Sequence, residues 1–463
     1  MAIIPLNQKF HTIENSVVTQ ERGSALVNSQ KEIFVTQDII DTVSVYVGLG
    51  GTQYVFVAAN GTDLQNAAEL QAAYVTAQGM SPSITNRITV IAAPGSYNFS
   101  TVNFEMNTDY IDLVSLDGNK SIVFNGSNTI EITTNDVFVR GVDVGTLNFT
   151  IANSLNLLRV ENCSGGDGSF GGTGGIASGT FTDCTGGYAA FGGAGGTADG
   201  TFNSCTGGGD SFGGNGTADG TFTNCIGGFA AFGGLGTASG TFTDCRGGSN
   251  SFGGGGGTAD GTFTDCRGKD NSFGGNSGTA NGEFTNCTGG DGSFGAYSTA
   301  DGEFTNCTGG NDAFGGTGGT ASGTFTNCTG GDNSFGGVSG TASGTFTDCT
   351  GGDGSFGGDG GIASGTFTDC IGGIYSFGGN SGTASGVFNS CLGGNESFGA
   401  YNLASGTFNS CLGGNRSFGG SGGTLSGKLY YCRLTSGTGT FTTVSGGGRT
   451  VLCINANNTQ NNQ

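Results

Sequence analysis

One spacing constrains this chain more than any other feature. Fifteen cysteines run from Cys163 to Cys453, and each follows the last by 20 or 21 residues. A fixed period of that length marks a solenoid, in which each repeat is one coil that cannot bury its apolar face alone. The repeated text is Ser178-Gly179-Thr180-Phe181-Thr182-Asp183-Cys184, then Thr185-Gly186-Gly187, then Phe191 and more glycine.

The registers inside the repeat identify the coil. A Phe stands three residues before every Cys from Cys184 to Cys411, and another stands seven after every Cys from Cys163 to Cys411. Length varies only after the second Phe: Phe170 to Ala177 is seven steps, Phe212 to Ala218 six. Stacked strands behave this way, because a slip of one residue would turn every inward side chain outward. Within Ala177–Thr182 the alternation has period two, with Ala177, Gly179 and Phe181 facing in and Ser178, Thr180 and Thr182 facing out. The pattern predicts ladders of Phe, Cys and Ala, with the Gly179, Gly200 and Gly220 line leaving room for neighbouring rings. Glycine at this density argues against a helix, at about 1 kcal/mol each relative to Ala. The fold expected is all-β, a parallel β-helix of 20–21 residues per coil.

Composition narrows the class. The 463 residues include 100 Gly but only 3 Pro, which excludes collagen. The 35 Phe, most of them in register, supply a core that a disordered chain lacks. A net charge of −21 without a basic arm makes nucleic acid a poor partner. No apolar run reaches the length of a membrane span, so no membrane insertion is expected. The start, Met1-Ala2-Ile3-Ile4-Pro5, lacks a charged n-region and an apolar h-region, which implies folding in a cytoplasm. The odd cysteine count and parallel Cβ vectors favour a column of small buried thiols over disulfides. With one His and no C-x-x-C, a zinc site has little support, and no cofactor is expected.

Four segments follow along the chain. Residues 1–50 read as an attachment arm. Residues 51–162 read as irregular opening coils, with strands at 54–59 and 87–93 and a capping helix at about 64–78, N-capped by Asp63, whose buried face holds Ala67, Leu70, Tyr74 and Ala77. Just before the first Cys, Val160 takes the place of the Phe, and residues 163–427 are the regular array. Residues 428–463 hold terminal coils, with Leu429 in place of Phe, and a polar tail from Asn455 expected to be disordered.

Some segments carry a family resemblance. Ile4-Pro5-Leu6-Asn7-Gln8-Lys9-Phe10-His11-Thr12, Glu21-Arg22-Gly23-Ser24-Ala25 and Gln37-Asp38-Ile39-Ile40-Asp41-Thr42-Val43 resemble the start of virion structural proteins of marine and cyanobacterial tailed phages. Val57–Asp63 through Ala93–Tyr97 is similar to their first pectate-lyase-like coils, and Gly427–Leu434 fits as well. The resemblance implies a right-handed β-helix on a virion, as in tail fibres and tailspikes. Such proteins are often trimeric, so a homo-oligomer, with a trimer favoured, or a filament is expected. It also implies contact with other virion proteins through residues 1–50. It carries over no catalytic residue, and the expected product is a stiff, non-enzymatic fibre contributing to host adhesion.

Four constellations bear on chemistry. Asp, Asn or Ser precedes each regular Cys (Asp183, Ser204, Asn224, Asp244, Asp265, Asn286), as suits a polar corner. A calcium ladder is the sharper alternative, but calcium-binding repeats have period nine and here Asp is freely replaced. Acid pairs for polysaccharide cleavage, such as Asp244 and Asp265, arise across coils without a distinct cluster. Thr180-x-Thr182 recurs as an outward ladder like that of ice-binding solenoids, interrupted by Glu283 and Glu303. Finally, Tyr188, Phe229, Tyr297, Tyr375 and Tyr401 occupy corners where other coils have small or polar residues, and could stack on sugars of a host surface.

Overall fold

The computed structural model describes residues 52–463, apart from 102, 127–129, 146–148, 152–154, 156, 421, 436–448 and 463. Before residue 52 it describes only five two-residue strands, so the expected attachment arm lies largely outside the described residues. The chain forms two compact units, residues 1–213 and 214–463, whose boundary falls inside the repeat array.

In the first unit, strands Thr52–Val57, Arg87–Ala92, Ile111–Ser115, Phe138–Arg140, Arg159–Glu161, Thr180–Thr182 and Thr201–Asn203 pair in parallel, coil on coil. Their register places Val55, Val90, Leu113, Val139, Val160, Phe181 and Phe202 in one buried column. Val160 therefore does fill the place of the missing Phe. Two more parallel sheets close the irregular coils. One contains Gly95–Asn98, Ile122–Asn125 and Val142–Asp143, and the other Phe104–Met106, Ile130–Ile132 and Phe149–Ile151.

The helix spans Asp63–Gly79 and buries Ala67, Leu70, Ala73, Tyr74 and Ala77 against the first strands. Its N-cap is Thr62, not Asp63. The Gln65 N–H donates to Thr62 Oγ1 at 3.4 Å, and the Thr62 N–H donates to Gln65 Oε1 at 2.8 Å. This reciprocal pair satisfies the Thr62 and Gln65 amides together, as a capping box does. Asp63 instead opens the helix, where its charge favours the positive end of the dipole.

The second unit repeats one three-sided coil. Thr-Phe-Thr strands from Thr221–Thr223 onward form the first side, in register Phe on Phe. From Cys225 to Cys391 the residue after Cys makes a one-residue parallel bridge on the next side, as in Arg246 to Arg267 to Thr288, and Leu412–Gly413 and Arg433–Leu434 continue it as two-residue strands. Two-residue strands such as Thr258–Ala259 form the third, with Ala inward. Ala177–Thr182 and its equivalents are thus not one strand. Ile176–Ala177 and Thr180–Thr182 belong to different sheets, separated by a corner at Ser178-Gly179. The glycine column there does not make room for rings. A Cβ on Gly261 would lie 2.2 Å from the Gly240 carbonyl oxygen of the preceding coil, so the column permits close backbone stacking.

Two columns of rings fill the interior. In the second unit, rings within a column lie 4.7–4.9 Å apart and within a few degrees of parallel. Between columns they meet edge to face at 5.5–6.0 Å. Both arrangements suit the ring quadrupole and add to area burial. The Phe seven after each Cys holds a left-handed backbone, φ 55° at Phe273 and 56° at Phe294, a conformation that disfavours a bulky side chain. All fifteen cysteines are free and buried. The Cys266 thiol donates to the Phe242 carbonyl of the preceding coil at 3.3 Å, so the sulfur column satisfies backbone acceptors as well as filling space.

The polar tail is ordered where described. Cys453–Ile454 turns through Asn455–Asn458 and pairs antiparallel with Gln460–Asn461. The Asn455 N–H donates to the Thr459 carbonyl at 2.9 Å, and Asn457 Oδ1 accepts from the Thr459 N–H at 3.0 Å. Asparagine side chains supply the turn bonds that a disordered tail would leave to water.

Candidate contact surfaces

The five corner aromatics occupy three different positions of the coil and do not form one cluster. Tyr188 and Phe229 stand four residues after their Cys, Tyr375 five, and Tyr297 and Tyr401 ten. Phe229 is 56% exposed without a polar anchor. Tyr188 is half exposed, yet its hydroxyl donates to the Asp210 carboxylate, which raises the phenol above its ordinary pKa. The Tyr297 hydroxyl donates to Asp312 Oδ2 at 3.3 Å. Tyr401 accepts from Arg416 Nη1 at 2.9 Å, and the same nitrogen lies 3.2 Å from Glu396 Oε1. Three of the five are therefore tethered by a neighbouring charge, which restricts how the ring can turn.

The acidic corners have a structural task. Asp183, Asn224, Asp244, Asp265 and Asn286 hold φ between 52° and 55°, which short polar side chains tolerate best. Along this row the Asn286 amide donates to Asp265 at 3.0 Å, Asn306 to Asn286 at 3.1 Å, and Asn327 to Asn306 at 2.8 Å. A second row stands four residues after Cys. There Asp270 Oδ1 accepts from the Asp291 N–H at 3.1 Å, Asp291 from Asn311 at 2.7 Å, Asn311 from Asp332 at 2.9 Å, and Asp332 from Asp353 at 2.9 Å. Each side chain supplies an acceptor that the backbone ladder omits, so Asp and Asn interchange freely. Among the described residues no group of three or more His, Cys, Asp or Glu is arranged to hold a metal ion.

One charged cluster belongs to the first unit. Arg87 donates to both Asp112 oxygens at 2.6 and 2.9 Å and to Asp136 Oδ1 at 2.8 Å. Asp112 is nearly buried, and desolvation raises its pKa despite the guanidinium. The forked geometry satisfies both acids at once.

The feature least visible in the repeat is an open polar groove of about 320 Å³ in the second unit. It is lined by Asn224, Asp244, Asp265 and Asn286 on one row and by Arg246, Arg267 and Thr288 on the next. The acid pair Asp244 and Asp265 is thus on one wall, facing two arginines. Neither guanidinium lies within salt-bridge distance of a carboxylate among the described residues. One signal could have marked this place. Between Arg159 and Arg416 the only Lys or Arg residues are Arg246, Arg267 and Lys269, in two consecutive coils of an acidic array.

The outward Thr-x-Thr pairs lie in parallel register, with Thr241 above Thr221 and Thr243 above Thr223, and continue to Thr262 and Thr264. Glu283 and Glu303 stack on each other and interrupt them before Thr324. No helix among the described residues is long and apolar enough to cross a membrane. No family model, curated protein or solved structure matches the chain.

Proposed function

We propose that the protein is a non-enzymatic structural fibre or appendage protein of a phage virion, made in the host cytoplasm and contributing to adhesion at the host surface. The observation that carries this reading is mechanical. In the regular coils of each unit, buried ring columns and parallel backbone ladders repeat from coil to coil. Nearest-neighbour stacking of this kind resists bending and local opening. The phage resemblance of the opening and closing segments supports the virion setting. Residues 1–50 attach the chain to other virion proteins, the chain works as a homo-oligomer or filament, and the corner aromatics Tyr188, Phe229, Tyr297, Tyr375 and Tyr401 meet host-surface glycans. Immunogold labelling of purified particles with antibody to residues 214–463 tests this. Label on tail structures is expected, and its absence from particles, with the chain recovered free in the lysate, refutes the reading.

A second reading rests on the Thr columns. Hydroxyls and methyls at Thr221/Thr223, Thr241/Thr243 and Thr262/Thr264 repeat in two directions on an exposed sheet face, an array suited to ordered water or another regular surface. A thermal-hysteresis assay separates it from the first, since a fibre protein gives no freezing-point gap.

A further inference from the structure

The groove arises from one tripeptide used twice. Asp244-Cys245-Arg246 and Asp265-Cys266-Arg267 fall on consecutive coils. Each cysteine is buried, so the acid row and the arginine row flank it on the outside and form the two walls of the groove. All four charged side chains are exposed. The Asn286 amide donates to Asp265 Oδ1 at 3.0 Å, which leaves Oδ2 for another donor. Among the described residues, no ion pair involves either acid or either arginine. Two rows of opposite charge therefore stand side by side unneutralised, each repeating at the strand spacing of about 4.8 Å.

We propose that residues 214–463 bind a second copy of the same chain side by side and in parallel, each coil against the same coil of its partner. The two-fold axis runs along the stacking direction, in front of the cysteine column. Rotation about such an axis keeps the order of coils and exchanges the rows on either side of Cys. It sets Asp244 against the partner's Arg246 and Asp265 against the partner's Arg267. The same operation makes both pairs again from the other copy, as an isologous interface requires. On the next coil Asn286 meets the partner's Thr288, amide against hydroxyl. Charge disfavours the other arrangements of these rows. A two-fold axis laid across the coils would keep the rows and reverse the coils, setting Asp244 against the partner's Asp265 and Arg246 against the partner's Arg267, like on like. Sliding one copy by a single coil would place Asp265 against the partner's Thr288 and lose half of the ion pairs. Exposed ion pairs are individually weak, so the association is salt-sensitive. The pairing rests on the reading of the chain as a homo-oligomer, with two copies rather than three, and its failure would leave the labelling of particles unaffected.

Sedimentation of the full chain tests the pairing. Two copies per particle are expected at low salt. Raising salt from about 0.1 M to about 1 M, which shortens the screening length from about 10 Å to about 3 Å, shifts the population to monomer. The double variants D244R/D265R and R246D/R267D are each monomeric, because like charges then face each other. Mixed in equal amounts they form a heterodimer, since every contact returns as an ion pair. The fourfold exchange D244R/R246D/D265R/R267D pairs with itself again, which a merely structural role for these residues would not produce. The corner tolerates a long side chain before Cys, because Tyr431 and Leu452 hold the same turn there with φ 56° and 50°; circular dichroism of each variant verifies that it folds. A monomeric wild type at low salt, a salt-insensitive trimer, or folded double variants that pair with themselves or stay monomeric on mixing overturns the proposal.

Discussion

The two Phe columns look equivalent in sequence, and a pair of substitutions in each separates them. Phe284 sits in a strand and Phe294 in a left-handed turn with φ 56°. Both are buried, with stacked neighbours 4.7–4.9 Å away and edge contacts at 5.6–6.0 Å. Truncating either ring to Ala should cost about 3–5 kcal/mol, from lost transfer energy and the cavity left between close-packed coils. Glycine then distinguishes them. In the strand, Phe284→Gly should be worse than Phe284→Ala by about 0.5–1 kcal/mol, because glycine loses more backbone entropy. In the turn the order should invert. Removing Cβ relieves about 1–2 kcal/mol of left-handed strain, which exceeds the entropic loss. Phe294→Gly should therefore be more stable than Phe294→Ala by about 0.5–1 kcal/mol. Native-state hydrogen exchange of amides in the flanking coils reads the difference locally, which matters in an array that opens in segments. If Phe294→Ala proves as stable as Phe294→Gly or more so, the turn conformation does not carry the strain assigned to it.

Three other outcomes are expected. Asp332→Asn should leave exchange at the Asp353 amide unchanged, whereas Asp332→Ala removes the acceptor and should accelerate it by roughly five- to tenfold, for a bond worth about 1 kcal/mol. Burial holds the Cys266 thiol above the ordinary range of a cysteine. The unfolded chain therefore loses that proton first, so the stability contributed by the Cys266 thiol is complete below about pH 8.5 and declines as pH rises above it, visible in denaturant midpoints between about pH 8 and pH 11. Arg87→Ala leaves Asp112 buried and unpaired, and should destabilise the first unit by about 3–5 kcal/mol, with Asp112→Asn in the same background restoring part of the loss in thermal melts.

Much of the fold was legible because the repeat wrote it many times. The Phe and Cys registers, the inward Ala and the places of Val160 and Leu429 all follow from period and alternation. The helix face was legible from Ala67, Leu70, Tyr74 and Ala77, but its cap was not, since Thr62 and Asp63 are both competent and only the reciprocal bond to Gln65 decides. The buried serines also escaped the sequence reading. Ser272 donates to the Gly248 carbonyl at 3.3 Å, a role that no alternation rule assigns to a polar residue. The corner aromatics were identifiable by their departure from the repeat. The groove was not, because Arg246 and Arg267 become neighbours only when coils stack.

Period, inward set and kind of coil are all written in the linear chain, since a strict 20–21-residue repeat with Phe in two registers has few ways to bury its rings. Coil stacking alone settles why glycine recurs at Gly240 and Gly261, which carbonyl each thiol meets, and that the Asp244 and Arg246 rows line one groove. Those are relations between residues one coil apart, set by backbone-to-backbone approach, and a linear pattern contains the spacing but not the contact.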